Sequence, residues 1–137
     1  MTAWAQSLIR ISNYEVETLQ KRLAEVAGRR QDAEMKVTMI DARAEAERMA
    51  TEAAPQSQML LHAFLKGCTQ RRLEAEAEVA AIAVEEEGAR DALTAAFEEL
   101  KKFEQVAENT RLQKLLEANK RETAAFDEMG LRRRASQ

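Results

Sequence analysis

One proline and four glycines punctuate 137 residues, too few turn-makers for a compact α/β domain of this length. One cysteine, Cys68, excludes an internal disulfide. The one histidine, His62, has no second His or Cys at metal-ligand spacing, and no glycine-rich loop precedes a helix to cradle a phosphate. No apolar run approaches the ~18 residues of a membrane span, and the N-terminus lacks a charged-then-apolar signal. A cytosolic location is the expectation. Net charge is −3 and aromatics make up only 4 %, so there is no basic-aromatic platform for a nucleic acid. Carboxylates are plentiful but lack the burial that would tune a pair as acid and base. No enzyme, cofactor, metal or small-molecule ligand is expected.

Charged residues, by contrast, reach 33 %, in the Ala/Glu/Lys/Leu/Arg mixture of long helices. Steps of three and four from Ile9 land on Val16, Leu19, Leu23, Val26, Ala33, Val37, Ile40 and Ala44, with Ser12, Arg30 and Glu47 as polar exceptions. The same stepping recurs at Leu61, Leu65, Cys68, Ala75, Val79, Ile82, Ala89, Leu93, Ala96, Leu100, Phe103 and Ala107, interrupted by Arg72 and Glu86. A stripe repeating every 3.5 residues buries one narrow face of a helix against another helix. With Pro55 as the only breaker, the nearest partner is the other half of the chain. The expected fold is all-α, a long antiparallel two-helix coiled-coil hairpin forming one structural unit. On its seam Cys68 reads as a small apolar residue.

Local signals set the boundaries. Thr2 can cap a first helix over residues 3–52. Ala54 is pushed out of helical geometry by Pro55, which suits the first turn of the next helix, so the turn falls at 53–56. A second helix over 57–129 would stop at Gly130, leaving a basic tail, 130–137, with Arg132, Arg133 and Arg134. That helix is longer by about twenty residues, roughly 30 Å at helical rise, and should overhang the N-terminus. Opposed residues should have numbers summing to about 110, which sets Glu86 near Arg22 and Leu23, and Arg72 near Ile40 and Asp41. Such seam charges must reach neighbours or water, and read as register devices.

Two groups of apolar residues fall outside the seam. Met35, Met39, Ala42, Ala46 and Met49 follow helical spacing on the first helix; Leu60 and Phe64, followed by Gly67 and Arg71, do so on the second. A two-helix structure has no second core for them, so a third helix, a second copy or another protein should cover them. At the open end, Trp4, Leu8 and Ile11 are out of phase with Ile9 and Val16, and apolar positions after Ala107 shift to Leu112, Leu116 and Phe126. Such a stutter marks either repacking at a frayed end or a change of partner. Charge is segregated as well. Residues 74–104 carry ten acidic against three basic residues, a net −7, while the first thirty carry a net +2. A solvated face whose charges compensate between helices accounts for that.

Across nearly its whole length the sequence resembles the flagellar FliJ family of the type III export apparatus. The resemblance rests on Glu15-Val16-Glu17, on Met39-Ile40-Asp41 before the turn, and on Lys120-Arg121-Glu122 leading to Phe126-Asp127-Glu128 and Arg132-Arg133. It implies a non-enzymatic stalk whose terminal end enters the hexameric export ATPase. The same stalk would link that ATPase to the membrane export-gate protein, escort export chaperones and sit peripherally at the inner membrane. The family's gate-binding surface corresponds here to Met35, Met39, Ala42, Ala46, Leu60, Phe64, Gly67 and Arg71, with alanines at 42 and 46 where larger aromatic side chains are expected. The ATPase end would carry Trp4, Leu8, Ile11, Leu112, Leu116, Phe126 and Arg132 to Arg134. A prefoldin-like or export chaperone holding clients near the turn, and a purely structural oligomeric coiled coil, are the other classes these residues allow.

Overall fold

Proline at position 55 divides the chain as its chemistry requires. In the computed structural model, which describes residues 3–136, α1 runs Ala3–Ala53 and α2 runs Gln58–Ala135, with a single 3-10 turn at Pro55–Ser57 between them. Ala54 takes φ −137° and ψ 77°, away from the helical region, because the proline ring crowds the residue before it. Its N–H donates to the Thr51 carbonyl at 3.0 Å, and Ser57 N–H donates to the Ala54 carbonyl at 3.0 Å. These bonds satisfy backbone groups that the helix ends leave open. The two helices pack against each other as a hairpin, and there is no strand among the described residues. Thr2, the expected cap, lies outside those residues.

One boundary differs from expectation. α2 does not stop at Gly130 but continues through it to Ala135, and no glycine among the described residues takes a positive φ. A glycine ends a helix only by adopting left-handed backbone. Here the flanking residues are good helix formers, and an Arg132–Glu128 ion pair at 3.1 Å spans the glycine at i,i+4 spacing. Arg132, Arg133 and Arg134 therefore occupy the last helical turn, where cations oppose the helix dipole, rather than a tail.

Packing divides the described residues into two units, one of residues 17–94 and one of residues 3–16 with 95–136. In the first, Val26 and Ala33 on α1 and Cys68, Ala75 and Ile82 on α2 are buried, and Val26, Ala33, Ile82 and Val79 form one apolar cluster. Leu19, Leu23, Val37, Ile40, Ala44, Leu61, Leu65, Ala89 and Leu93 are half-buried around them. This is the seam at its expected positions; only its polar members Glu47 and Arg72 stand exposed. In the second unit Ala5, Ser12 and Val16 are buried, as are Ala96, Leu100 and Ala107. Beyond Thr110, every residue from Arg111 to Ser136 is exposed.

Charge fixes the register within residues 17–94. Glu85 accepts from Arg22 at 2.6 Å and from Arg29 at 2.9 Å, and Lys36 lies 3.4 Å from Glu78. Nearer the turn the polarity reverses, and Arg72 on α2 donates to Asp41 on α1 at 2.8 and 3.3 Å. Hydrogen bonding to Asp41 holds the Arg72 guanidinium above its ordinary pKa. Exposed pairs of this kind each stabilise little, but a slipped register would set like charges together. The expected Arg72–Asp41 neighbourhood is thus present. Arg22 pairs with Glu85, next to Glu86, whereas Glu86 itself takes a partner that counting across the seam does not name. It is buried and accepts from Arg30, another charged seam residue, and from Arg90 at 3.2 Å. A guanidinium reaches along the seam to the one carboxylate that lacks water, and Glu86 and Glu34 raise the Arg30 pKa in return.

Glu86→Ala should lower the melting temperature by about 5 °C or more, because it leaves a void at a buried seam position besides removing a contact of Arg30. Glu86→Leu should melt at or above the wild type, since Arg30 keeps Glu34 at 2.9 Å and the leucine fills the seam. Circular-dichroism melts of both variants check this. A leucine variant that falls as far as the alanine one would show the buried pair to be a net source of stability.

Candidate protein-docking face

Within residues 17–94, the off-seam residues of α1 and α2 meet along one side of the helix pair. Met35 and Met39 are 59 % and 63 % exposed, far more than a residue of a closed core. They line an open groove of about 470 Å³ with Ile40 and Arg71. A neighbouring groove of about 600 Å³ is lined by Met39, Ile40, Ala42, Arg43, Cys68 and Arg71. Ile40 and Cys68 belong to the seam, so these grooves lie where the seam thins between the two helices. A small thiol at 68 and an alanine at 42 leave that space open.

Phe64, half-buried, is met by an arginine from each helix. The guanidinium carbons of Arg43 on α1 and Arg71 on α2 each lie 5.8 Å from its ring centroid. Both are within reach of the negative face of the ring, a contact worth roughly 0.5–1 kcal/mol at an exposed site. Arg71 also donates to the Cys68 Sγ at 3.3 Å and passes 3.8 Å from where a Cβ on Gly67 would stand. One arginine thereby joins Phe64, Gly67, Cys68 and both grooves.

Of the eight residues expected on this face, Met35, Met39, Ala42, Phe64, Gly67 and Arg71 are brought together. Phe64 and Gly67 meet the grooves through Arg71 rather than lining them, and Ala46 and Leu60 line neither groove, with Leu60 76 % exposed. Arg43 was not singled out by the sequence. It sits four residues after Met39, the spacing that stacks side chains on one helix face, and that was the available signal. Leu73 and Val84 on α2 are also exposed and apolar without having been singled out.

The second group lies in the other unit. Trp4, Ile11, Leu112, Leu116 and Phe126 are exposed, whereas Leu8 is half-buried alongside Ile9. Phe126, Asp127, Gly130, Leu131 and Arg134 line a shallow groove on the unpaired stretch of α2. Among the described residues no three His, Cys, Asp or Glu side chains are grouped to hold a metal, and no helix is long and apolar enough to cross a membrane. The chemistry on offer is apolar burial with cationic contacts.

Comparison with known proteins is decisive on ancestry. A family model described as "Flagellar FliJ protein" matches residues 5–137. The chain belongs to the flagellar FliJ family. Two curated proteins named Flagellar FliJ protein are similar to it, from Caulobacter vibrioides strains NA1000 / CB15N and ATCC 19089 / CIP 103742 / CB 15. Each is 49 % identical over 135 residues, covering 98 % of this chain and 97 % of the relative. No solved structure matches. Membership in the FliJ family carries a role in flagellar export and hence in motility, and a place among the components of the export apparatus. The helical hairpin and the exposed apolar faces are thus features of a FliJ-family export component.

Proposed function

We propose that this FliJ-family chain is a non-enzymatic coupling component that joins the hexameric export ATPase to the membrane export gate. The observation that carries this reading is the presence of two separate exposed apolar faces on a protein whose own core is a narrow seam. One lies within residues 17–94 around Met39 and Phe64; the other lies in the unit containing both ends of the chain. A coupling protein needs two such faces and no pocket for chemistry. The face around Met39 and Phe64 is assigned to the gate. The terminal face, with Trp4, Leu8, Ile11, Leu112, Leu116, Phe126 and the three arginines of the last turn, is assigned to the ATPase. Working between these partners would hold the protein at the inner membrane at the flagellar base, with export chaperones as further partners.

A second reading has an observation of its own. Met59 and Leu60, next to the turn, are 89 % and 76 % exposed, as a chaperone that holds unfolded clients would present them. Truncation separates the two. Removing residues 120–137 takes away no buried residue among those described, so the melting temperature should stay within about 2 °C of wild type. In the coupling reading this chain no longer stimulates ATP hydrolysis by the hexameric export ATPase, assayed with purified components. A truncated chain that stimulates fully, or client holding that survives loss of every ATPase and gate contact, would favour the chaperone.

A further inference from the structure

The two arginines on Phe64 have no carboxylate between them. Across α1 and α2, the ion pairs of residues 17–94 match a cation with a nearby acid, as Arg72 matches Asp41 and Arg30 matches Glu86. Arg43 and Arg71 form no such ion pair, although they converge from two helices on a single ring, each at 5.8 Å. Two of the neighbouring acids are engaged elsewhere. Glu74, one turn after Arg71, accepts from Gln70 at 3.3 Å, and Glu78 is paired with Lys36. Two guanidinium groups drawn to a single ring with no acid of their own repel each other, and a carboxylate within reach of both would relieve that repulsion. Beside them lies the groove of about 600 Å³ with Met39, Ile40 and Ala42, which takes an apolar side chain.

We infer that the segment docking on this face is acidic and amphipathic, with one carboxylate held between Arg43 and Arg71 and an adjoining apolar side chain beside Met39. The inference rests on the gate-binding reading of the same face and specifies the chemistry of the segment that binds. Arginine suits this task because its planar fork stacks on Phe64 and still offers N–H donors at its edge to a carboxylate. Lysine would supply the charge without the stacking.

The test measures binding of the full chain to the purified cytoplasmic part of the export-gate protein between 50 and 500 mM NaCl. Wild-type affinity should fall about tenfold or more across that range, since rim charges are screened by salt. Arg43→Gln with Arg71→Gln should weaken binding about tenfold or more at 50 mM and flatten the salt dependence. Met39→Ala should weaken binding while leaving the salt dependence as in wild type. Loss of affinity in the arginine variant with an unchanged salt slope would make the arginines supports for Phe64 and overturn the inference. So would normal binding by that variant while Met39→Ala binds poorly, an outcome that leaves the gate assignment standing. If neither variant changes binding, the gate assignment itself falls, and this inference with it.

Discussion

Val26→Asp should abolish the folded state of residues 17–94, with helicity falling to that of isolated, fraying helices at room temperature. Val26 is 0 % exposed and packs against Ala33, Ile82 and Val79. Burying such a side chain contributes roughly 1.5–3 kcal/mol, all of it lost on substitution. Holding a carboxylate in its place costs several kcal/mol more. Only five apolar side chains of this unit are buried, three of them alanine or cysteine, so little else offsets the loss. A domain near the lower end of the usual ~5–15 kcal/mol of stability would not survive it, and a two-helix seam should sit there. Val26→Ala, at about 1.5–2 kcal/mol, should remain folded with a lower melting temperature. Far-ultraviolet circular dichroism distinguishes the three chains. A cooperative melt in Val26→Asp close to wild type would mean that the helices do not depend on this seam.

The second large effect is on binding. Met39→Asp with Phe64→Asp should weaken association with the export gate about a hundredfold or more, while the chain stays folded with a melting temperature lowered only by what half-buried Phe64 and its arginine contacts contribute. Each apolar side chain that a partner covers is worth roughly 1.5–3 kcal/mol, and a carboxylate in a desolvated contact adds a penalty. Met39 is mostly exposed and Phe64 half-buried, so neither contributes as Val26 does to the seam. Loss of helicity in the double variant would mark both residues as internal core. Unaltered gate binding would remove the face from consideration.

The seam and turn were legible because both are local consequences of sequence. A 3.5-residue apolar repeat names the buried side of each helix, and Pro55 leaves the chain only one place to reverse. Three features were not legible, each for a physical reason. Gly130 carries no information about which helical hand it will adopt; its neighbours decide. Counting positions across the seam sets the neighbourhood of Glu86 but does not name its partner, because an arginine reaches along the seam and Arg30 takes the buried carboxylate. Arg43 shares a helix face with Met39, but its role arises only when α1 and α2 pack so that arginines from both reach Phe64. The candidate face shows the same division. Met35, Met39 and Phe64 were visible as apolar residues without a core to fill. That Ala46 and Leu60 lie outside the grooves depends on the thinning of the seam around Ala42 and Cys68, which periodicity does not encode.

The claim at the centre of this account is that two different faces of one small protein serve two different partners. It is tested most directly by titrating three chains against each of two purified partners: wild type, Met39→Asp with Phe64→Asp, and the chain lacking residues 120–137. The double variant should lose the export gate and keep the ATPase, and the truncated chain should lose the ATPase and keep the gate. A variant that loses both partners, or a pair of variants that lose neither, would contradict the account.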